Sequence, residues 1–203
     1  MNATYLFEKP YREFHNSESW WSSFFSLFLL SETQSKAPRS IPVWRYAHPN
    51  RFWRSGTFET TNIAFSNIVV EGALCGHPFS LSAWPPEYAR IKIDLALIRD
   101  RLITLIETKT IGASIARNLL LYGHIANHLT SQGWQTSLYY LISYGHESRN
   151  DADWKLISQQ ELPLFLWEDV FRLASSTALG RSLGVNLDEY TDLPIDVGEP
   201  KPT

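Results

Sequence analysis

Asp94, Glu107 and Lys109 stand in a stretch, RIKIDLALIRDRLITLIETKT (residues 90–110), that is otherwise rich in Ile and Leu. Apolar positions alternating on either side of Arg99-Asp100-Arg101 predict two strands joined by a short turn. Strand side chains repeat every two residues, so Glu107 and Lys109 share a face in any register. Asp94 joins them if Asp100-Arg101 is a two-residue turn, because Arg99 then pairs with Leu102 and counting back sets Asp94 opposite Glu107. A three-residue loop would send Asp94 to the other face. Two-residue loops are the commonest in hairpins and Asp tolerates the backbone they need, so convergence is expected.

Two carboxylates directly opposite one another have Cβ atoms about 5 Å apart and repel. The ammonium of Lys109 offsets one negative charge and leaves the group net negative. A divalent ion would remove the remainder, and donors that are all oxygen suit Mg²⁺ or Mn²⁺ better than zinc. An ordinary ion pair, with Asp94 on the wet side of an antiparallel strand, accounts for the same letters, and spacing alone leaves both readings open.

The elements that must position these residues sit in a chain of 203 residues, 44% hydrophobic, long enough for one globular domain with a substantial core. Eight Trp, nine Tyr and eleven Phe imply buried aromatic slabs or flat contact surfaces. A net charge of −3 excludes attraction of the whole chain to nucleic acid, so any such contact needs a local patch. The single cysteine, Cys75, excludes an intrachain disulfide framework and reads as a lone buried thiol, which fits a reducing, cytoplasmic setting. The polar N-terminus carries no secretory pattern, and the apolar run WWSSFFSLFLL (residues 20–30) is too short to span a bilayer.

That run predicts a helix with Trp20, Phe24, Leu27 and Phe28 on one face and Ser22, Ser23 and Ser26 on another. Residues 57–74 read as a second helix, with Phe58, Phe65, Ile68 and Val69 apolar and Gly76-His77-Pro78 ending it. The plainest helix follows the charged strands: Ile115, Leu119, Tyr122, Ile125 and Leu129 recur at spacings of three and four, and Gly133 closes it. TSLYYLISY (residues 136–144) predicts the next strand, residues 154–158 and 164–166 predict edge strands, and residues 168–175 a last helix. This order makes an α/β protein with a mixed central sheet flanked by helices. The tail from Asn186, with five acids, one lysine and three prolines, reads as flexible and acidic.

Ile93-Asp94, twelve residues across a hairpin, then Glu107-Thr108-Lys109 at a strand end, followed by an amphipathic helix and a strand, resembles the PD-(D/E)XK nuclease superfamily, the restriction-endonuclease-like fold. The resemblance covers roughly residues 57–145. Ile93 stands where the motif's name has proline, a position that varies in such proteins. The resemblance implies a core of helix, strand hairpin, helix and strand over residues 57–185. Residues 1–56 would pack on it as an aromatic helix and a basic segment, and residues 186–203 would form the tail. It implies that Asp94 and Glu107 hold Mg²⁺ or Mn²⁺, with the backbone carbonyl of Thr108 and the side chain of Glu71 as further ligands. Glu59 is the fallback for Glu71. Lys109 would orient or deprotonate a water, and Arg117 and Asn118 would face the site or a phosphate.

VWRYAHPNRFWR (residues 43–54) interleaves Arg45, Arg51 and Arg54 with aromatics, a composition suited to phosphates and bases, although arginines packed on core aromatics would look the same. His124 and His128 have zinc spacing but lack the acid and third ligand of a zinc motif. No GxxxxGK[ST] or GxGxxG occurs, which argues against a nucleotide cradle. The expectation is a Mg-dependent phosphodiesterase, a DNA endonuclease, working as a homodimer or with a partner subunit and without a membrane. The alternative is a nuclease-fold subunit that has lost catalysis and binds nucleic acid or assembles.

Overall fold

Arg99 pairs with Leu102 and Asp100 takes a left-handed backbone (φ 52°), so Asp100-Arg101 is a two-residue turn. The computed structural model describes residues 18–33, 40–45, 57–61, 63, 65–73, 88, 91–109, 115–142, 155–157 and 159–178. In chain order the elements are α1 (Glu18–Thr33), β1 (Ile41–Arg45), β2 (Thr57–Thr61), β3 (Asn67–Ala73), β4 (Lys92–Arg99) and β5 (Leu102–Thr108). These are followed by α2 (Ala116–Ser131), β6 (Gln135–Ile142), β7 (Leu164–Leu166) and α3 (Trp167–Ser175). The strands form one mixed sheet of seven in the order β2-β1-β7-β6-β5-β4-β3, with β5, β6 and β7 parallel and the remaining pairs antiparallel.

The hairpin β4–β5 is almost continuously apolar because both of its faces are covered. Leu95, Leu97 and Ile106 pack with Phe24, Phe25, Phe28 and Leu29 of α1 and with Val170, Phe171 and Ala174 of α3. On the other face Ala96, Ile98, Ile103 and Leu105 pack with Tyr122, Ile125 and Leu129 of α2. Aromatics cement the first layer: Phe25 meets Phe165 at 5.8 Å and Trp167 at 6.2 Å between ring centroids.

Residues 57–74 are not a helix; they contribute β2 and β3. Their Thr, Ile, Val and Phe content favours extended backbone, and the helical spacing of four apolar residues was coincidental. Residues 155–157 are helical rather than an edge strand. β7 is a strand as expected, but an interior one, between β6 and β1. In α1 the serines and one leucine exchange the expected faces: Ser22 and Ser26 are buried and Leu27 is 48% exposed. Small hydroxyls can face the sheet because each finds an acceptor, Ser26 in its own helix at Ser23 O (2.7 Å) and Ser22 across the layer.

α2 ends in a Schellman motif. Trp134 N–H donates to Leu129 O (3.1 Å) and Gly133 N–H to Thr130 O (3.0 Å), with Gly133 at φ 81°. An Ala at 133 would meet no atom within 4 Å, so only its backbone would be strained. Gly133→Ala should therefore cost about 1 kcal/mol, lowering the melting temperature by about 2–4 °C. Gly123→Ala, in the middle of α2 and equally unobstructed, should move thermal unfolding the other way by up to about 1 kcal/mol.

Candidate functional site

The β4–β5 ladder runs in one register from Arg99–Leu102 to Leu95–Ile106, and that register sets Asp94 level with Glu107. Side-chain bonds take over there from ladder bonds. Thr108 N–H donates to Asp94 Oδ2 (2.8 Å), and Asp94 N–H donates to Tyr122 Oη (3.2 Å). Glu107 continues the face of Ile103 and Leu105, against α2, and Asn118 in the first turn of that helix donates from Nδ2 to Glu107 Oε1 (2.6 Å). Lys109 Nζ lies 2.5 Å from the same oxygen, with both residues buried. Thr108, between them, points through the sheet and accepts a hydrogen bond from Ser22 Oγ of α1 (3.2 Å).

The structure thus brings Asp94, Glu107, Lys109 and Asn118 together at the C-terminal end of β5, beside the N-terminus of α2. That helix end adds partial positive charge to a crowded acidic site. Burial, and next the charge of Glu107, push the Asp94 carboxyl up to about 8; the Thr108 N–H and Lys109 oppose the rise without cancelling it. At neutral pH the group is therefore balanced by one ammonium and one retained proton. Burial first, then Glu107 and Asp94, raise the Tyr122 hydroxyl well above its ordinary range.

Glu71 is a strand residue of β3, not the helical one expected. Val70 pairs with Leu95 and Gly72 with Ile93, which sets Glu71 level with Asp94, at a left-handed φ of 49°. Its Oε1 is buried without a hydrogen-bond partner. Glu59 lies on β2, five strands from β4 and so roughly 24 Å away at about 4.8 Å per strand, out of reach of Asp94. Among the described residues no group of three or more His, Cys, Asp or Glu is arranged to hold a metal ion. A pair of carboxylates fits Mg²⁺, which commonly keeps several waters and takes only one or two protein carboxylates.

No protein-family model, no curated protein and no solved structure matches the chain. No helix among the described residues is long and apolar enough to cross a membrane.

Arg45 donates from Nη1 to Glu161 O (3.1 Å). Arg51, Arg54 and Cys75 lie outside the described residues, as do residues 186–203 and the side chains of Trp20 and Arg117. His124 is exposed, while His128 contacts the Tyr88 ring (6.4 Å between centroids). Sequence reasoning treated Tyr122 as a plain core residue and passed over Tyr140, which pairs with Glu107 across β5–β6. A tyrosine on the buried stripe of a helix, facing strand acids, was the available signal for Tyr122.

Between about pH 4 and 8 the folded chain keeps an Asp94 proton that the unfolded chain has lost, so this group's contribution to stability declines as pH rises through that window. Asp94→Asn, which imitates the protonated acid, should flatten that slope. Its melting temperature at pH 8 should exceed wild type by about 5 °C, and the two should converge near pH 4. Parallel melting curves across pH would show that Asp94 carries no such proton.

Proposed function

We propose that the chain is a divalent-metal-dependent nuclease of the PD-(D/E)XK type, a phosphodiesterase that cuts DNA internally. The observation that carries this reading is the convergence of Asp94, Glu107 and Lys109 on one sheet face where the hairpin ladder gives way to side-chain bonds. The surrounding order supports it: a helix on one face of the hairpin, a second helix on the other, then a strand parallel to β5.

Asp94 and Glu107 would hold the ion with the Thr108 carbonyl. Glu71, level with Asp94 on β3, would join them only by a shift, since the three acids as they stand form no metal-holding group among the described residues. When bound, Mg²⁺ or Mn²⁺ supplies Lewis acidity to a phosphoryl oxygen and lowers the pKa of water. Asp94 would hold the ion as the carboxylate, having given up its proton to solvent. Asn118 fixes Glu107 through Oε1. Lys109, released from Glu107, would orient the attacking water as a donor, and would accept its proton only after giving up its own to solvent. Arg45, Arg51, Arg54 and Arg117 are assigned to the phosphate backbone, as monomer, homodimer or with a partner subunit.

A second reading rests on the same balance of charges. Lys109 and the Asp94 proton already neutralise Glu107 without an ion, as would suit a nuclease-fold subunit that binds nucleic acid or assembles without cutting.

Incubation of supercoiled plasmid with Mg²⁺ or Mn²⁺ separates the two. The nuclease reading expects nicked or linear product that EDTA abolishes, and a fall of about 100-fold or more in Asp94→Ala and Lys109→Ala. Undiminished cutting by either variant would remove its assigned role. Binding without cleavage of any DNA or RNA would establish the second reading.

A further inference from the structure

Tyr140 stands beside Glu107 in the parallel ladder of β5 and β6, and paired residues share a sheet face. The clusters agree on which face. Tyr140 packs with Ile115 and Leu119 at the start of α2, the same turn from which Asn118 reaches Glu107. Tyr140 is fully buried, and its hydroxyl has no hydrogen-bond partner. A phenol normally brings its hydroxyl into a hydrogen bond when buried, so a lone one beside a carboxylate calls for a reason. Meanwhile Lys109 and Asn118 both engage Oε1 of Glu107.

We propose that Tyr140 is a positioning residue: its buried hydroxyl takes up Glu107 when Lys109 leaves that carboxylate to serve the attacking water. The inference rests on the nuclease reading and deepens it, since catalysis there requires Lys109 to change partners. When Lys109 leaves, Glu107 loses its ammonium and keeps Asn118, the Tyr122 hydroxyl and Asp94 beside it. A buried donor from the β6 side takes the place of the lost one. Tyr140 Oη–H donates, a Glu107 oxygen accepts, and no proton changes owner. Burial, and then the charge of Glu107, hold the phenol above its ordinary range, which keeps it a donor at working pH.

Tyr140→Phe deletes one oxygen and keeps the ring. Without nucleic acid or metal, the variant should melt at or above the wild-type temperature, because an unsatisfied buried hydroxyl has been removed. Its Mn²⁺ affinity, measured by titration calorimetry, should fall about tenfold or more, as for other residues that orient a ligand, and cleavage should fall with it. A metal-free melting temperature below wild type would mean the hydroxyl is already bonded, and would overturn the proposal. So would unchanged Mn²⁺ affinity and cleavage in the variant of an active wild type, leaving the nuclease reading intact. A wild type that neither binds Mn²⁺ nor cuts would bring down both.

Discussion

The register of one hairpin governs the site. With Asp100-Arg101 as the turn, Leu95 to Arg99 of β4 are each matched to a residue of β5 whose number completes a fixed sum, and extending that match by one carries Asp94 to Glu107. A slip of one residue would turn the whole apolar set of either strand over. Leu95 and Leu97 would leave the α1 layer, and Ala96 and Ile98 would leave the α2 layer. Burial on both faces therefore makes a slip too costly. The acids are held together by hydrophobic packing that has no chemical interest of its own, and the closeness that makes Asp94 keep its proton is imposed by the rest of the sheet.

The two helices hold the motif from opposite sides. From the α2 face, Asn118 and Tyr122 reach Glu107 and the backbone of Asp94. From the α1 face, Ser22 bonds the threonine that separates the glutamate from the lysine. Alternation explains the division: in Glu107-Thr108-Lys109 the outer two side chains face one layer and the middle one the other. A buried serine in an otherwise aromatic helix costs packing area, and its bond to Thr108 ties the orientation of α1 to the end of β5.

The hairpin, α2 and β6 were legible because their periodicities are strong and each is bounded by a turn or a glycine. Arg99–Leu102 pairing and the closure at Gly133 follow from local chemistry alone. Residues 57–73 were misread because Phe58, Phe65, Ile68 and Val69 happen to satisfy a helical spacing. What decides the matter is a partner, since β3 exists by pairing with β4 and β2 by pairing with β1. Such long-range pairing leaves little trace in a window of one strand. The same holds for Tyr140, whose place beside Glu107 depends on the parallel register of β5 and β6 across an intervening helix. Leu27 and Ser22 exchanged places because hydrophobicity alone cannot anticipate a serine that finds a buried acceptor.

Two buried polar atoms without partners, Glu71 Oε1 and Tyr140 Oη, belong to residues matched in the sheet to the two acids of the site, Glu71 to Asp94 and Tyr140 to Glu107. Folded chains leave few such atoms, since each forfeits about 1–3 kcal/mol of solvation. Glu71 adds backbone strain, with a left-handed φ in a residue that gains nothing local from it. Selection for stability alone would remove both features easily, by a Phe at 140 and by a glycine or an apolar residue at 71. Both lie on the strands that flank Asp94 and Glu107, so the two atoms border the proposed site. The retained proton on Asp94 answers the same crowding, since it leaves one negative charge on the pair for the Lys109 ammonium to balance.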